Sequence, residues 1–312
     1  VKAELHACQI ELITEPCDSA AEAVAQLRAL RRLVAGTGVG LLGSGTHPSA
    51  TEGEAEITDQ ERYEHIHHLL GDAAATPVAG LHVHVGMPDA KTAIRVFNSL
   101  RRHLPLLQAL AANSPFRHGR NTGLASAREV TLRSWPRSGV PRAMRDYEDF
   151  RVTAAQLATA ADVPDYTWFW WKLRPHPRLG TVEIRALDVQ STHDDTEALV
   201  ALIHCLCRAA VDSDGEPSPA PELVEEGLFR AARFGVLADL PDAEGRLRPA
   251  HERLLDALAT FGPHTRDLRA EESLARLPEL IQRVGGAGRQ RDLFGIGGMD
   301  SLLRELTAIS SA

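Results

Sequence analysis

Three short stretches in the first half of the chain alternate apolar and polar residues, as strands do. Leu5 to Ile13 sets Cys8, Ile10 and Leu12 on one face and Gln9 and Glu11 on the other. Gly80 to Gly86 sets Leu81, Val83 and Val85 against His82 and His84. Gly180 to Val189 sets Val182, Ile184 and Ala186 against Thr181, Glu183, Arg185 and Leu187. Val39 to Leu42 is a further short apolar strand, running into the loop Gly43 to Pro48. Helical periodicity fills the intervals. Asp18-Ser19 caps a helix to about Ala35, and Thr58 with Glu61 forms a capping box for a helix to about Leu70. Asp89 caps a long helix to about Ala112, with a kink expected at Pro105. Asn113 to Pro141 is rich in Gly, Ser, Pro and Arg and reads as a long loop with short elements, the kind of segment that carries binding groups. Thr167 to Leu173 is rich in aromatic residues. After Asp194 the pattern is helical to the end, apart from a break over 212–221. No internal repeat is present. The order of elements predicts an α+β protein: a single domain over 1–312, with a sheet-containing core over 1–190 and a mainly helical part over 191–312 packed on it.

Composition narrows the function classes. The 312 residues are 44% hydrophobic and 24% charged, a globular balance. Net charge is −8, which disfavours a general nucleic-acid binder. No apolar run is long enough to span a membrane, and the first residues do not make a signal peptide. The chain starts at Val1 rather than Met, so residues upstream of this sequence are expected. The four cysteines, Cys8, Cys17, Cys205 and Cys207, have no zinc-type spacing and read as small apolar residues in a reducing cytoplasm.

The polar faces of the three strands carry the candidate chemistry. If they share one sheet, Glu11, His82, His84, Glu183 and Arg185 converge on one side of it. Carboxylates with an imidazole suit Mg²⁺ or Mn²⁺ better than zinc, and a magnesium ion so held usually accompanies nucleotide phosphates, for which Arg185 supplies a further positive charge. Taken singly, each signal has a plainer reading: Glu183 and Arg185 as an ion pair on a solvated face, His82 and His84 as a hydrogen-bonded pair. Gly38 to Gly43 matches G-x-G-x-x-G but follows a helix and is itself strand-like, so a dinucleotide fingerprint is rejected. His65, His67 and His68 read as exposed on their helix. No G-x-S-x-G elbow and no H-E-x-x-H motif occur, so no protein nucleophile is identified.

A set of segments in order along the chain carries a resemblance. They are Gly45-Thr46-His47-Pro48, Glu61-Arg62-Tyr63, Gly80-Leu-His-Val-His-Val-Gly86, Leu104-Pro-Leu-Leu107, Asn113-Ser-Pro115, Thr122-Gly123, Ser126 with Arg128, and Trp135-Pro136. They continue with Arg174-Pro-His-Pro177, Gly180-Thr-Val-Glu-Ile-Arg185, Ala231-Ala-Arg-Phe-Gly235 and Gly286-Ala-Gly-Arg-Gln-Arg291. On these the chain resembles the carboxylate–amine ligase family, also called glutamate–cysteine ligase type 2. The resemblance implies a glutamine-synthetase-like fold: a curved antiparallel sheet with ATP and Mg²⁺ (or Mn²⁺) on its concave face, helices on its convex side and a helical C-terminal part.

It also implies a reaction. ATP phosphorylates a carboxylate, usually the γ-carboxylate of glutamate, and an amine, classically that of cysteine, attacks the acyl phosphate. By the resemblance Glu11, His82 and Glu183 match metal ligands, and Arg185 matches the arginine that meets the transferred phosphate. Arg128, His84 and Arg174 are the candidates for binding substrate or ATP. The family begins with a Glu-x-Glu strand that would lie upstream of Val1. Asn121 and Lys172 stand where acidic residues are expected. Alternatives are an ATP-dependent kinase on a related fold and a non-catalytic member that binds a metabolite or partner. A homodimer is expected because related ligases self-associate, with no nucleic-acid or membrane partner.

Overall fold

Five helices start by the same local device. The side-chain oxygens of Ser19, Asp89, Ser126, Asp146 and Thr192 each accept the backbone N–H three residues on, which satisfies a donor the helix cannot. The computed structural model describes residues 1–213 and 218–312, so part of the break expected over 212–221 lies outside the described residues. Its strands are β1 (Lys2–Ala3), β2 (Ile10–Glu11), β3 (Gly80–Gly86), β4 (Phe116–Arg117), β5 (Arg120–Asn121), β6 (Leu173–His176), β7 (Thr181–Asp188), β8 (Asp239–Pro241) and β9 (Leu247–Pro249). Its longer helices are α1 (Ala20–Ala35), α2 (Glu61–Leu70), α3 (Ala90–Leu100), α4 (Leu104–Ala111), α5 (Ala127–Leu132), α6 (Tyr147–Ala160), α7 (His193–Asp212), α8 (Pro221–Phe234), α9 (Ala250–Phe261) and, at the end, α10 (Gly285–Ser311). Among the described residues no helix is long and apolar enough to cross a membrane.

The expected α+β class is what the fold shows. Its central sheet is antiparallel and three-stranded, in the order β3-β7-β6. Helices α3, α4 and α7 pack against it. Val182 and Ile184 of β7 are fully buried beneath them, and every residue of α4 is buried, as its apolar sequence requires. The largest cluster of buried apolar side chains draws on residues from Leu5 to Leu280. The C-terminal part also contains the β8–β9 hairpin.

Several expectations need correction. Leu5 to Ile13 is a strand only at Ile10–Glu11, paired with Lys2–Ala3 and outside the central sheet. Residues 5–7 turn instead towards 56–58: Ala7 N donates to Glu56 O, Thr58 N donates to Leu5 O, and the buried His6 ring bonds Ala74 O at 2.8 Å. Thr58 is thereby engaged, its hydroxyl on Glu4 O, so α2 starts at Glu61 without a side-chain cap. Val39 to Leu42 is not a strand. The amides of Leu41 and Gly43 donate to the hydroxyls of Ser311 and Ser310 at the end of α10. The helix expected to about Ala112 divides at a short 3₁₀ turn, with Pro105 in the first turn of α4, where its missing N–H costs nothing.

The register of β3 against β7 decides the site. Val85 faces Val182, His84 faces Glu183 and Val83 faces Ile184, but the pairing then slips by one, so that Leu81 faces Leu187 and Gly80 faces Asp188. His82 therefore stands opposite a bulge. Directly opposed residues share a face. Strict alternation had assigned Leu187 to the face of Glu183. The bulge moves Leu187, which is fully buried, to the core side with Leu81, and brings Asp188 to the side of Gly80.

Candidate active site

Glu183 lies in the middle of β7, the central strand, with a neighbour on each side. Its side chain is 2% exposed. Arg185 Nη1 donates to Oε1 at 2.5 Å and Arg174 Nε, from the facing residue of β6, donates to Oε2 at 2.5 Å. On the other flank His84 Nε2 is 3.6 Å from Oε1. Burial alone would raise the Glu183 carboxyl, but Arg185, then Arg174, then the two histidines hold it well below the usual carboxylate range. The charge is thus permanent, shared by two guanidinium groups.

Two histidines of β3 lie beside it on the same side of the sheet. His82 and His84 are open to solvent yet crowded by protein. Crowding pushes both down, His82 far below the ordinary range, with the Arg185 cation adding to the effect. Both rings are therefore neutral near pH 7. Arg185 Nη1 also lies 3.4 Å from His82 Nδ1, and His84 Nδ1 bonds the Thr181 hydroxyl at 3.0 Å. His176 of β6 stacks edge-on to His84 with ring centres 5.4 Å apart.

The remaining candidates divide by what their donors do. Arg174 is buried, and its Nη1 is spent on the carbonyls of Phe169, Tyr166 and Thr167, so it pins the aromatic segment to the sheet. Arg128, on α5, is 4% exposed. Its Nη2 donates to Arg185 O at 3.2 Å, and its Nη1 is 3.7 Å from Asp188 Oδ1. Glu11 is half-buried in the separate β1–β2 ribbon rather than on the sheet. Burial and the nearby Glu4 raise its carboxyl, while Lys2 and Arg185 lower it, so it still feels the charges around Glu183. Arg185, His82 and His84 are the members of this cluster that reach solvent.

The donor types suit a hard divalent cation: two carboxylates and an unprotonated imidazole. The arrangement does not assemble them. Among the described residues no three His, Cys, Asp or Glu side chains are gathered to hold a metal ion, and both oxygens of Glu183 face arginines. Metal ligation by Glu183 would require Arg185 to turn from Oε1, and the partly exposed Arg185 is the arginine with room to do so.

Asp188 was passed over in the sequence, where alternation put it on the buried face. It is 1% exposed and accepts from Asn113 N at 2.9 Å, Ser114 Oγ at 2.7 Å and Ser126 Oγ at 2.9 Å. Burial pushes its carboxyl up, and Arg128 and these donors oppose that. Lys172, noted for standing at an expected acidic position, donates to Glu129 at 2.5 Å, and both are buried. Asn121 is exposed at the end of β5, away from the hairpin turn, where its side chain accepts from Gly123 N at 3.0 Å.

Comparison with known proteins adds independent findings. The model of the family described as glutamate-cysteine ligase family 2 (GCS2) matches residues 1–306. A Rubrobacter xylanophilus protein named "Putative glutamate--cysteine ligase 2-3" is 40% identical over 294 residues, 92% of this chain and 80% of that one. A Frankia alni protein named "Putative glutamate--cysteine ligase 2-1" is 35% identical over 323 residues, 98% of this chain and 84% of that one. Among solved structures, a bifunctional glutathione synthetase from Pasteurella multocida superposes with a TM-score of 0.69 at 15% identity, over 96% of this chain and 46% of that one. At that identity the likeness is one of fold.

Proposed function

The chain belongs to glutamate–cysteine ligase family 2, a family of ligases that form C–N bonds, and from that premise we propose that it joins the γ-carboxylate of glutamate to an amine such as that of cysteine at the expense of ATP. The observation that carries the reading is the placement of Arg185. It bridges the buried Glu183 carboxylate and the neutral imidazole of the exposed His82. A carboxylate is a poor acyl donor because its leaving group is oxide. Phosphorylation turns the leaving group into phosphate, and the two anions that must meet then need a fixed cation between them. Arg185 supplies that cation, oriented by Glu183 and next to His82.

Two neutral histidines flank the same spot. His84, held by Thr181, offers a hydrogen bond without a competing positive charge, and His82 offers an unprotonated nitrogen. By donor type Glu183, His82 and Glu11 are the candidates to hold a divalent ion, Mg²⁺ or Mn²⁺, and doing so would require Arg185 to turn from Glu183 and the three donors to draw together. When bound, such an ion supplies further neutralisation of phosphate charge. Arg174 touches no solvent-facing group and serves by fixing Glu183. The chain's own work is positioning and charge compensation, and it needs no protein nucleophile.

The deciding experiment measures ADP release with Mg²⁺-ATP and glutamate, with and without a panel of amines that includes cysteine, beside Glu183→Ala. Amine-dependent release that vanishes in the variant is the expected result. Release with glutamate alone, unaffected by any amine, would point to a kinase. No release and no ATP binding by calorimetry would leave a non-catalytic binder.

A further inference from the structure

Two separated segments, 113–114 and 126–128, meet at one buried carboxylate of β7. Asp188 takes the amide of Asn113 and the hydroxyls of Ser114 and Ser126, and faces the guanidinium of Arg128. Ser114 Oγ in turn accepts from Arg128 N at 3.2 Å, so the loop that Asp188 gathers also sets the first turn of α5. The approach is close on both sides. A methyl group on Gly45 would lie 2.6 Å from Asp188 Cγ, and one on Gly80 would collide with the Arg128 guanidinium. Arg128 has nowhere else to go. Its Nε and Nη1 are buried without a hydrogen-bond partner, so Asp188 is the acid that balances it and Arg185 O is the acceptor of the hydrogen bond from its Nη2.

The carbonyl that Arg128 grips belongs to Arg185, at the bulge where the β3–β7 register slips. A ladder bond to β3 is missing at the bulge, so the backbone of Arg185 is held there by its own N–H on Lys172 O, at 2.8 Å, and by the Arg128 donor on its carbonyl. We propose that Asp188 is a positioning residue: it orients Arg128, which fixes the backbone of Arg185 and so aims the Arg185 guanidinium over Glu183 and His82. This rests on the reading of Arg185 as the cation of the ligation. Asp188 touches no reacting group itself.

The test is a double-variant cycle on the full chain, read as kcat for amine-dependent ADP release. Asp188→Asn and Arg128→Lys each lower kcat about tenfold or more, because small misplacements of a catalytic group are costly. The double variant is no slower than the slower single one, as expected of two residues acting in one chain of contacts. KM for the amine stays within about twofold, since the lesion lies in Arg185 placement rather than amine binding. Ser191→Ala, which removes a contact to Asn113 in the same buried cluster, leaves kcat within about twofold. Multiplying losses in the double variant, an unchanged kcat in a folded Asp188→Asn, or an equal loss in Ser191→Ala overturns the proposal. Should Asp188→Asn not fold, Gly80→Ala displaces the Arg128 guanidinium without touching Asp188 and must reproduce the kcat loss. Full turnover in Arg185→Lys would remove the reading of Arg185 while leaving the cycle intact. If the wild type shows no amine-dependent turnover, the same cycle is read on ATP affinity by calorimetry, where coupled losses support the positioning role and multiplying losses overturn it.

Discussion

Arg174 and Glu183 stand directly opposite each other on neighbouring strands, and Arg174 Nε donates to Glu183 Oε2 at 2.5 Å. With Arg185 on the other oxygen, one buried acid balances two cations. Neutralising it leaves two guanidinium groups facing each other without an acid between them. Glu183→Gln is expected to cost about 3–5 kcal/mol in urea unfolding, the range for breaking a buried ion pair from one side. A cost under about 1 kcal/mol would mean that the pairing is not maintained in solution.

Lys172 and Glu129 make a second buried pair, between the segment entering β6 and helix α5. Lys172→Met leaves the buried Glu129 carboxylate with the longer, 3.5 Å contact to the partly exposed Arg133 and is expected to destabilise by about 3 kcal/mol. The double variant Lys172→Met/Glu129→Leu should recover most of that loss, because neither charge is then left alone. Recovery is the informative half: a double variant as unstable as the sum of its singles shows no coupling.

The glycines around the site differ in what a side chain would meet. At Gly45 an added Cβ lies 2.6 Å from Asp188 Cγ, in a fully bonded cluster, whereas at Gly86, the far end of β3, nothing lies within 4 Å. Gly45→Ala should therefore destabilise by about 1–3 kcal/mol through overpacking. Gly86→Ala should stay within about 0.5 kcal/mol. Equal melting temperatures for the two variants would contradict this.

His103, half-buried at the 3₁₀ turn before α4, carries the clearest pH signature. Burial, with Arg102 and Arg253 nearby, pushes its pKa down to about 3. A histidine lowered on folding binds fewer protons in the native state than in the unfolded one. Its contribution to stability is complete above the unfolded value of about 6.5 and is lost as pH falls from there towards the folded value. Glu183 adds to the loss below about pH 4, since its carboxyl is also lowered on folding. Urea midpoints are expected to fall from pH 7 to 4.5, and His103→Gln should flatten that slope. An unchanged slope in the variant removes His103 as the cause.

The local rules of the sequence determined much of this protein. Ser19 and Asp89 cap helices where their short oxygens precede apolar periodicity, and β3 begins and ends at Gly80 and Gly86 as its alternation and flanking glycines indicate. The alternation also put His82 and His84 on one face of β3, and Glu183 and Arg185 on one face of β7, because a strand's period of two fixes which neighbours share a face. Tertiary structure decided the rest. Whether Leu5 to Ile13 joins the sheet depends on a competing partner fifty residues away, at 56–58, which no short window contains. The slip between Leu81 and Val83 is a property of two strands a hundred residues apart, and it alone moves Leu187 to the core and Asp188 to the site's side. Arg128 and Arg174 look like surface anion binders by residue type. They are buried, and their donors face Arg185 O, Glu183 and the carbonyls of 166–169, because a long guanidinium is satisfied by whatever acceptors the folded chain brings within reach. Periodicity reports the face a residue takes locally, and only the packed chain reports which partner that face meets.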